Sequence, residues 1–371
     1  MLHRIRPPAC ADHLACIMQF QRHVLAFACS LGTFEHLNEG DIRTKFGEEV
    51  GKWFWGKLQK RNGAPSELHT TLVSLIAFVQ ANPAAGASIL AAFDHDISFQ
   101  GHLNDPDFRF HYTTVLDEQS RNAVRPLMQA FYEDLLASGF PSCITGNASL
   151  LDRDGFVASF WAANSKLEVC PACDGARPER IDIKVYADAD HFLPKSKYPF
   201  LAVHPANLVP VCLACNRSFK TGRDPIDNPH DQPLVNTFHP YGRPAIDHVD
   251  VKVNRDDVGV RHVHLEDQGG MPSRRVVGLN RAYRLEERWP DSLEYEVKSL
   301  SETLAEHGHW LRAYGNQVGS DDLRMILTSQ LQKQKDKVGQ KHHCLLDVGY
   351  LRLALDDTGE FDDLLRQFLA E

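Results

Sequence analysis

The chain has 371 residues, 43% of them hydrophobic and 24% charged, with a net charge of −9. This is the profile of a globular protein with material for two or three domains, and its acidic balance excludes coating nucleic acid through bulk charge. No apolar run approaches the ~18 residues needed to span a bilayer, and Asp12, His13 and the Pro7-Pro8 pair interrupt a signal-peptide core, so the expected location is the cytoplasm without membrane attachment.

Residues 1–144 read as a helical N-terminal domain. Over residues 66–80, Ser66 can cap while Leu68, Leu72, Leu75, Ile76 and Val79 share one face. Residues 120–141 read as a second helix ending at Gly139, and residues 105–116 between them as extended or irregular. The cluster Phe93-Asp94-His95-Asp96 lacks a fourth ligand and reads as a solvated turn. No repeat and no chemistry motif stands out here.

Residues 145–245 are rich in Pro, His, Asn and Cys and read as short elements. Their charge is also distinct. Residues 165–225 hold nine Lys/Arg against seven Asp/Glu, a net of +2 that leaves −11 for the remainder, so any nucleic-acid contact is expected at a local site.

Residues 246–371 read as a hairpin followed by helices. Val249, Val251 and Val253 alternate, the turn falls near Asp256, and His262 and His264 are expected as exposed neighbours on one strand face. Beyond it, Leu293, Val297, Leu300 and Leu304 trace one helical stripe, and Leu323, Ile326, Leu327 and Leu331 another. The run 341–344, Lys-His-His-Cys, reads as a helix start. The fold class expected is α+β, mainly helical around a small central core.

Nine cysteines, an odd number in a chain expected in the cytosol, argue against a disulfide framework. Cys10, Cys16, Cys29, Cys143 and Cys344 are scattered and read as small core residues. Cys170-x-x-Cys173 and Cys212-x-x-Cys215 have the spacing of zinc knuckles, and together supply four thiolates for a closed structural Zn²⁺ site. Neither pair opens a thioredoxin-like unit, which disfavours redox chemistry. The 38 residues between them exceed a usual zinc-ribbon gap and are expected to hold a folded unit.

In that unit residues 181–192 alternate apolar and polar, which predicts one strand carrying Ile181, Ile183 and Val185, then Ala187 and Ala189. Asp190 and His191 would then point to opposite faces. Residues 207–222 predict a strand or turn at Leu208, the second knuckle, and a helix on which Asn216 and Lys220 share a face. Asp190 and Asn216 offer hard oxygen ligands suited to Mg²⁺ or Mn²⁺, and a neutral His191 can take a proton from water. Phosphodiester hydrolysis uses such a set.

The order Asp190-His191, Asn207, Asn216, set in "DHFLPKSKYPFLAVHPANLVPVCLACNRSFK", resembles the HNH (ββα-metal) endonuclease family in its His-Asn-Asn variant with paired zinc knuckles. It is similar to the HNH domain of CRISPR effector nucleases. The match runs from Cys170 to Arg223, and residues 237–249 more weakly resemble the segment that follows this core in bacterial HNH proteins. The family's third position is often histidine and here is Asn216.

The resemblance implies a zinc-stapled ββα-metal core in which His191 is the general base and Asp190 and Asn216 bind the catalytic Mg²⁺ or Mn²⁺. It makes Asn207 the residue that pins the histidine loop, and Lys220, Arg217 and Lys195 contacts to the phosphate backbone. His204 is expected as a loop residue, and Asp188 as a supporting acid or a solvated strand position. The implied activity is endonucleolytic cleavage of DNA leaving 5′-phosphate ends, with RNA left open as substrate. Defence against phage or other foreign DNA is the implied setting. The helical flanks are expected to sense, restrain or dimerise, through a regulatory partner protein or a second copy. The reading from another class is a non-catalytic, zinc-stapled module that binds nucleic acid or protein.

Overall fold

The computed structural model describes residues 1–371 except 31–36, 61, 147–149, 179, 182–183, 186, 231, 270–272, 316 and 371. The chain is mainly helical with small sheets. Its N-terminal part comprises α1 (Ala11–Ser30), α2 (Glu39–Phe46), α3 (Glu48–Leu58), α4 (Glu67–Ala81), α5 (Pro83–Asp96), α6 (His111–Thr114), α7 (Glu118–Ala130), α8 (Ser142–Thr145) and α9 (Arg153–Ala163). Three antiparallel strand pairs follow: β1 (Arg180–Ile181) with β2 (Lys184–Val185), β3 (Asp188–His191) with β4 (Leu208–Val211), and β5 (Val249–Arg255) with β6 (Arg261–Asp267). The chain continues as α10 (Arg274–Tyr283), α11 (Leu285–Ala313), α12 (Ser320–Asp336), α13 (Cys344–Asp356) and α14 (Thr358–Leu369).

Helix α4 forms as its sequence dictates. The Ser66 side chain accepts the His69 amide, and Leu68, Leu72, Leu75, Ile76 and Val79 are buried. Phe20 of α1 anchors an aromatic cluster with Phe46, Trp53, Phe54, Phe131 and Phe140. Helix α7 runs through Pro126 into a π-helical turn at Phe131–Leu136, and the segment ends before Gly139, whose φ of 85° an L side chain rarely adopts.

Asp96 differs from expectation. It is buried, and its carboxylate accepts the amides of His111 (2.6 Å) and Tyr112 (3.0 Å), so the orphan donors opening α6 draw it out of solvent. Asp94, from the same cluster, stays at the surface with Arg22.

Where one strand is predicted over residues 181–192, the structure has β1 and β2 folded on each other and a separate β3. Alternation persists through both, and no Gly, Pro or Asn marks the reversal, so period-2 patterning alone hides it. Ile183 lies outside the described residues. The β5–β6 hairpin has the expected register, pairing Arg255 with Arg261, and His262 and His264 are exposed. Helix α13 packs on β5 through Gly349, where a Cβ would lie 2.9 Å from the Val251 carbonyl oxygen.

One apolar core runs through residues 1–144, 145–245 and 246–371 alike. The first residues join it: Met1 and Leu2 are buried, and the Leu2 and His3 amides donate to the Pro171 carbonyl beside the first cysteine pair.

Candidate functional site

The four cysteines Cys170, Cys173, Cys212 and Cys215 bring their sulfurs within 4.8 Å of one another. Tetrahedral zinc with Zn–S bonds of about 2.3 Å needs sulfurs about 3.8 Å apart, and Cys173 and Cys212 lie at 3.9 Å. The donor set therefore fits a zinc ion. Four thiolates around Zn²⁺ carry an excess of two negative charges, and three donors answer it. The Cys212 amide lies 3.4 Å from Cys170 Sγ, the Cys215 amide 3.4 Å from Cys212 Sγ, and Arg288 Nη1 3.4 Å from Cys215 Sγ. Hydrogen bonds from Cys170, Cys173 and Cys215 hold the Cys212 thiol well below its ordinary range, while burial pushes Cys170 up.

The first knuckle is braced from distant parts of the chain. Asp174, in the left-handed conformation, accepts from His3 Nε2 (2.7 Å) and the Leu345 amide (3.0 Å). Its carbonyl accepts the His343 amide, and Trp289 Nε1 donates to the Cys173 carbonyl at 3.2 Å.

Between the knuckles lies the β3–β4 hairpin, and a π-helical turn, Ala214–Lys220, begins in the second knuckle and carries Cys215. The hairpin pairs Asp190 with Val209 and His191 with Leu208. Alternation sends Asp188 and Asp190 to one face and His191 to the other. On the first face the π turn delivers three side chains. Asn216 Nδ2 donates to Asp188 Oδ2 (3.0 Å), Arg217 grips both oxygens of Asp188 (2.7 and 3.0 Å), and Lys220 Nζ lies 2.9 Å from Asp190 Oδ1. Lys220 also donates to the His191 carbonyl, and Tyr283 from α10 lies 3.3 Å from Asp190 Oδ2.

On the other face His191 Nε2–H donates to the Ala202 carbonyl at 2.8 Å, which leaves Nδ1 as the basic nitrogen. Asn207 is fully buried and clamps the intervening loop. Its Oδ1 accepts the Leu193 amide (2.7 Å), and its Nδ2 donates to the carbonyls of Leu193 (3.0 Å) and Leu201 (3.1 Å). His204 uses both ring nitrogens on backbone, Nε2 on the Ile97 carbonyl and Nδ1 on the Ala206 amide.

Burial pushes His191 down to about 3, with Lys195, Lys220 and Arg153 adding repulsion, so it is neutral at physiological pH. Burial raises Asp190 against the opposing pull of Lys220, while the Arg217 guanidinium holds Asp188 below the usual range.

Several residues at the site lie outside its sequence motif. Tyr132 meets the His191 ring edge-on at 4.3 Å and donates its hydroxyl to the Ala189 carbonyl at 2.8 Å. Arg153 stacks 4.6 Å over the Tyr132 ring; Lys195 lies 5.5 Å over it and 2.9 Å from Glu133. Arg288 stacks 3.8 Å over Phe219. No local sequence signal marks Tyr132, which reaches the site from the π turn that continues α7.

Asp190, His191 and Lys220 are at most 8% exposed, so the site is closed. The Lys220 ammonium holds one oxygen of Asp190, the Tyr283 hydroxyl the other, and the Asn216 amide is turned to Asp188. In this arrangement Asp190 and Asn216 do not converge on a free point, and a hard divalent cation does not fit between them.

No family model matches the chain, and no solved structure matches it. Over 74 residues the chain is 38% identical to "Protein ea31" of Escherichia phage lambda, a stretch covering 20% of this chain and 21% of that protein. The chain thus spans about a fifth of the relative it matches, a local similarity that leaves its family open.

Proposed function

We propose that the chain is a metal-dependent endonuclease of HNH type that hydrolyses phosphodiester bonds in DNA. The observation that carries this reading is the Asn207 clamp: three buried hydrogen bonds fix the loop from Leu193 to Leu201, and the Ala202 carbonyl then fixes the tautomer of His191. His204 is held on backbone through both ring nitrogens, whereas the bond to Ala202 occupies Nε2 of His191 and leaves Nδ1 for a proton from water. In the proposed reaction His191 Nδ1 takes a proton from water as the water oxygen bonds to phosphorus. The bond from phosphorus to the 3′ oxygen breaks, leaving a 5′-phosphate. Lys195, Lys220 and Arg153 make the surroundings of His191 positive, which favours a phosphodiester there.

In such hydrolysis a divalent cation would supply charge stabilisation. Here Lys220 supplies the positive charge beside Asp190, and the closed arrangement is a resting form. The spent Asp190 carboxylate also favours the second reading, a zinc-stapled module that binds nucleic acid or protein without cutting. Cleavage of supercoiled plasmid with Mg²⁺ or Mn²⁺ separates the two. Loss of a general base costs on the order of 10²–10⁴ in rate, so the His191→Ala protein should fall by at least that lower factor. The setting we propose is bacterial, cytoplasmic defence against foreign DNA. Residues 1–144 and 246–371 would restrain the closed site until a partner protein or second copy opens it.

A further inference from the structure

Beside the loop that follows His191 lies a cleft of about 380 Å³, lined by Tyr112, Arg121, Arg125, Ser196, Lys197 and His230 among others. Arg121 and Arg125 stand four residues apart on α7 and so share a face. Arg121 donates to the carbonyls of Leu116 (2.8 Å) and Thr113 (3.4 Å), and Arg125 donates to Asn122 Oδ1. Neither guanidinium forms an ion pair among the described residues. Lys197 does have a counter-ion, Asp224 at 3.4 Å, and Arg121 feels the more distant Asp117 at the start of α7, so the cleft's least compensated charge is that of the two arginines, Arg125 above all.

The cleft is also connected to the candidate site. Gln129, the next position along the same face of α7, donates Nε2–H to the Lys195 carbonyl at 3.3 Å. Three residues further the chain reaches Tyr132, whose ring touches His191. A face bearing Arg121, Arg125 and Gln129 therefore leads straight to the imidazole. At about 1.5 Å per residue Arg121 and Arg125 lie about 16 and about 10 Å along the axis from Tyr132, or roughly three to five nucleotides at about 3.4 Å per nucleotide of one strand.

We propose that this cleft binds two successive phosphates of a nucleic-acid backbone, one at each guanidinium of Arg121 and Arg125 with the Ser196 hydroxyl at hand, and that α7 guides the strand to His191. The Tyr112 hydroxyl is already taken by the Arg121 carbonyl (3.2 Å). Each guanidinium uses one nitrogen on the protein, Arg121 Nη1 and Arg125 Nη2. The remaining N–H groups suit a phosphodiester better than a carboxylate peptide, because they can grip successive non-bridging oxygens without needing an extended chain of backbone donors. The direction of the track rests on the nuclease reading; the anion chemistry of the cleft does not.

The test is fluorescence anisotropy of a labelled duplex bound to the full-length, zinc-loaded protein, titrated across NaCl concentrations without Mg²⁺ or Mn²⁺. Removing one arginine–phosphate interaction should lower the slope of log K against log salt by about 0.9. Arg121→Ala with Arg125→Ala should lower it by about 1.8 and weaken binding at least tenfold at physiological salt. Arg125→Ala alone, which leaves the Arg121 bonds to backbone intact, should lower it by about half as much and guards against misfolding of the double variant. Matched DNA and RNA duplexes are run side by side, and weaker binding of either places the backbone in the cleft and names the substrate. Unchanged slopes for both variants on both duplexes overturn the proposal. His191→Ala keeps the two readings apart. If it cuts like wild type while the arginine variants bind weakly, the cleft stands and the nuclease reading falls. If it stops cutting while the arginine variants bind normally, the reverse holds.

Discussion

The two polar centres of the protein share the π turn that carries Cys215, Asn216 and Lys220, and they differ in how their donors are used. At the knuckles, four soft donors converge on a common point and their surroundings supply N–H groups to sulfur. At the hairpin face, the hard donors are consumed internally: Lys220 on Asp190, Asn216 and Arg217 on Asp188. The first centre has the donor set and spacing that fit a zinc ion, and it is tied to distant stretches of chain through Asp174 and the Cys173 carbonyl. The second is neutralised by its own protein and closed.

The largest effect that can test this contrast is at the knuckles. Replacing Cys173 by Ser, or removing metal with a chelator, should abolish the cooperative thermal transition, because binding energy of a structural metal is folding energy. Metal analysis of purified wild-type protein should find one zinc per chain. A protein that melts identically without metal would make the knuckles ordinary buried thiols.

Acid sharpens the comparison next. Burial holds His191 and His239 down to about 3 and His204 to about 4, all below the unfolded value near 6.5. Between those values the unfolded chain binds more protons than the folded one, so stability falls as pH drops from about 6.5 toward about 4. The expected slope approaches ~1.4 kcal/mol per pH unit for each histidine. Burial raises Asp96 to about 8, which works in the opposite direction over this window. Urea unfolding at a series of pH values is therefore compared between wild type and His204→Gln; equal slopes would mean that the ring is hydrated.

The smallest predicted effect is at the clamp. Asn207→Ala strands the Leu193 amide and carbonyl in the core, while the Leu201 carbonyl keeps the His204 amide, at a cost of about 3 kcal/mol in urea unfolding. It should slow cleavage as well, since His191 loses its fixed loop. Reduced stability with full cleavage would make Asn207 a packing residue only.

Much of this is legible in the residues themselves. Knuckle spacing locates the sulfur cluster, because two Cys-x-x-Cys turns leave few other arrangements. The resemblance assigns Asn207 to pinning the histidine loop, and its three hydrogen bonds do so. Ser66 and the apolar stripe place α4 to within a residue. What local pattern cannot carry is contact across long separations. Tyr132 and Arg153 come from before the first knuckle, and Tyr283 and Arg288 from well after the second. The reversal between β1 and β2 is hidden because both strands share one alternation. The resemblance makes Lys220 a phosphate contact; in the structure it is 2% exposed and paired with Asp190, a consequence of where the π turn docks.

The most direct measurement is the rate of supercoiled-plasmid cleavage in Mg²⁺ or Mn²⁺ by wild-type and His191→Ala proteins that carry equal zinc and melt alike. The expected result is nicked or linear product from the wild type and a rate about 100-fold or more lower in the variant. Equal rates, or no cleavage by either protein with DNA and RNA substrates under any opening condition, would contradict a histidine-based nuclease.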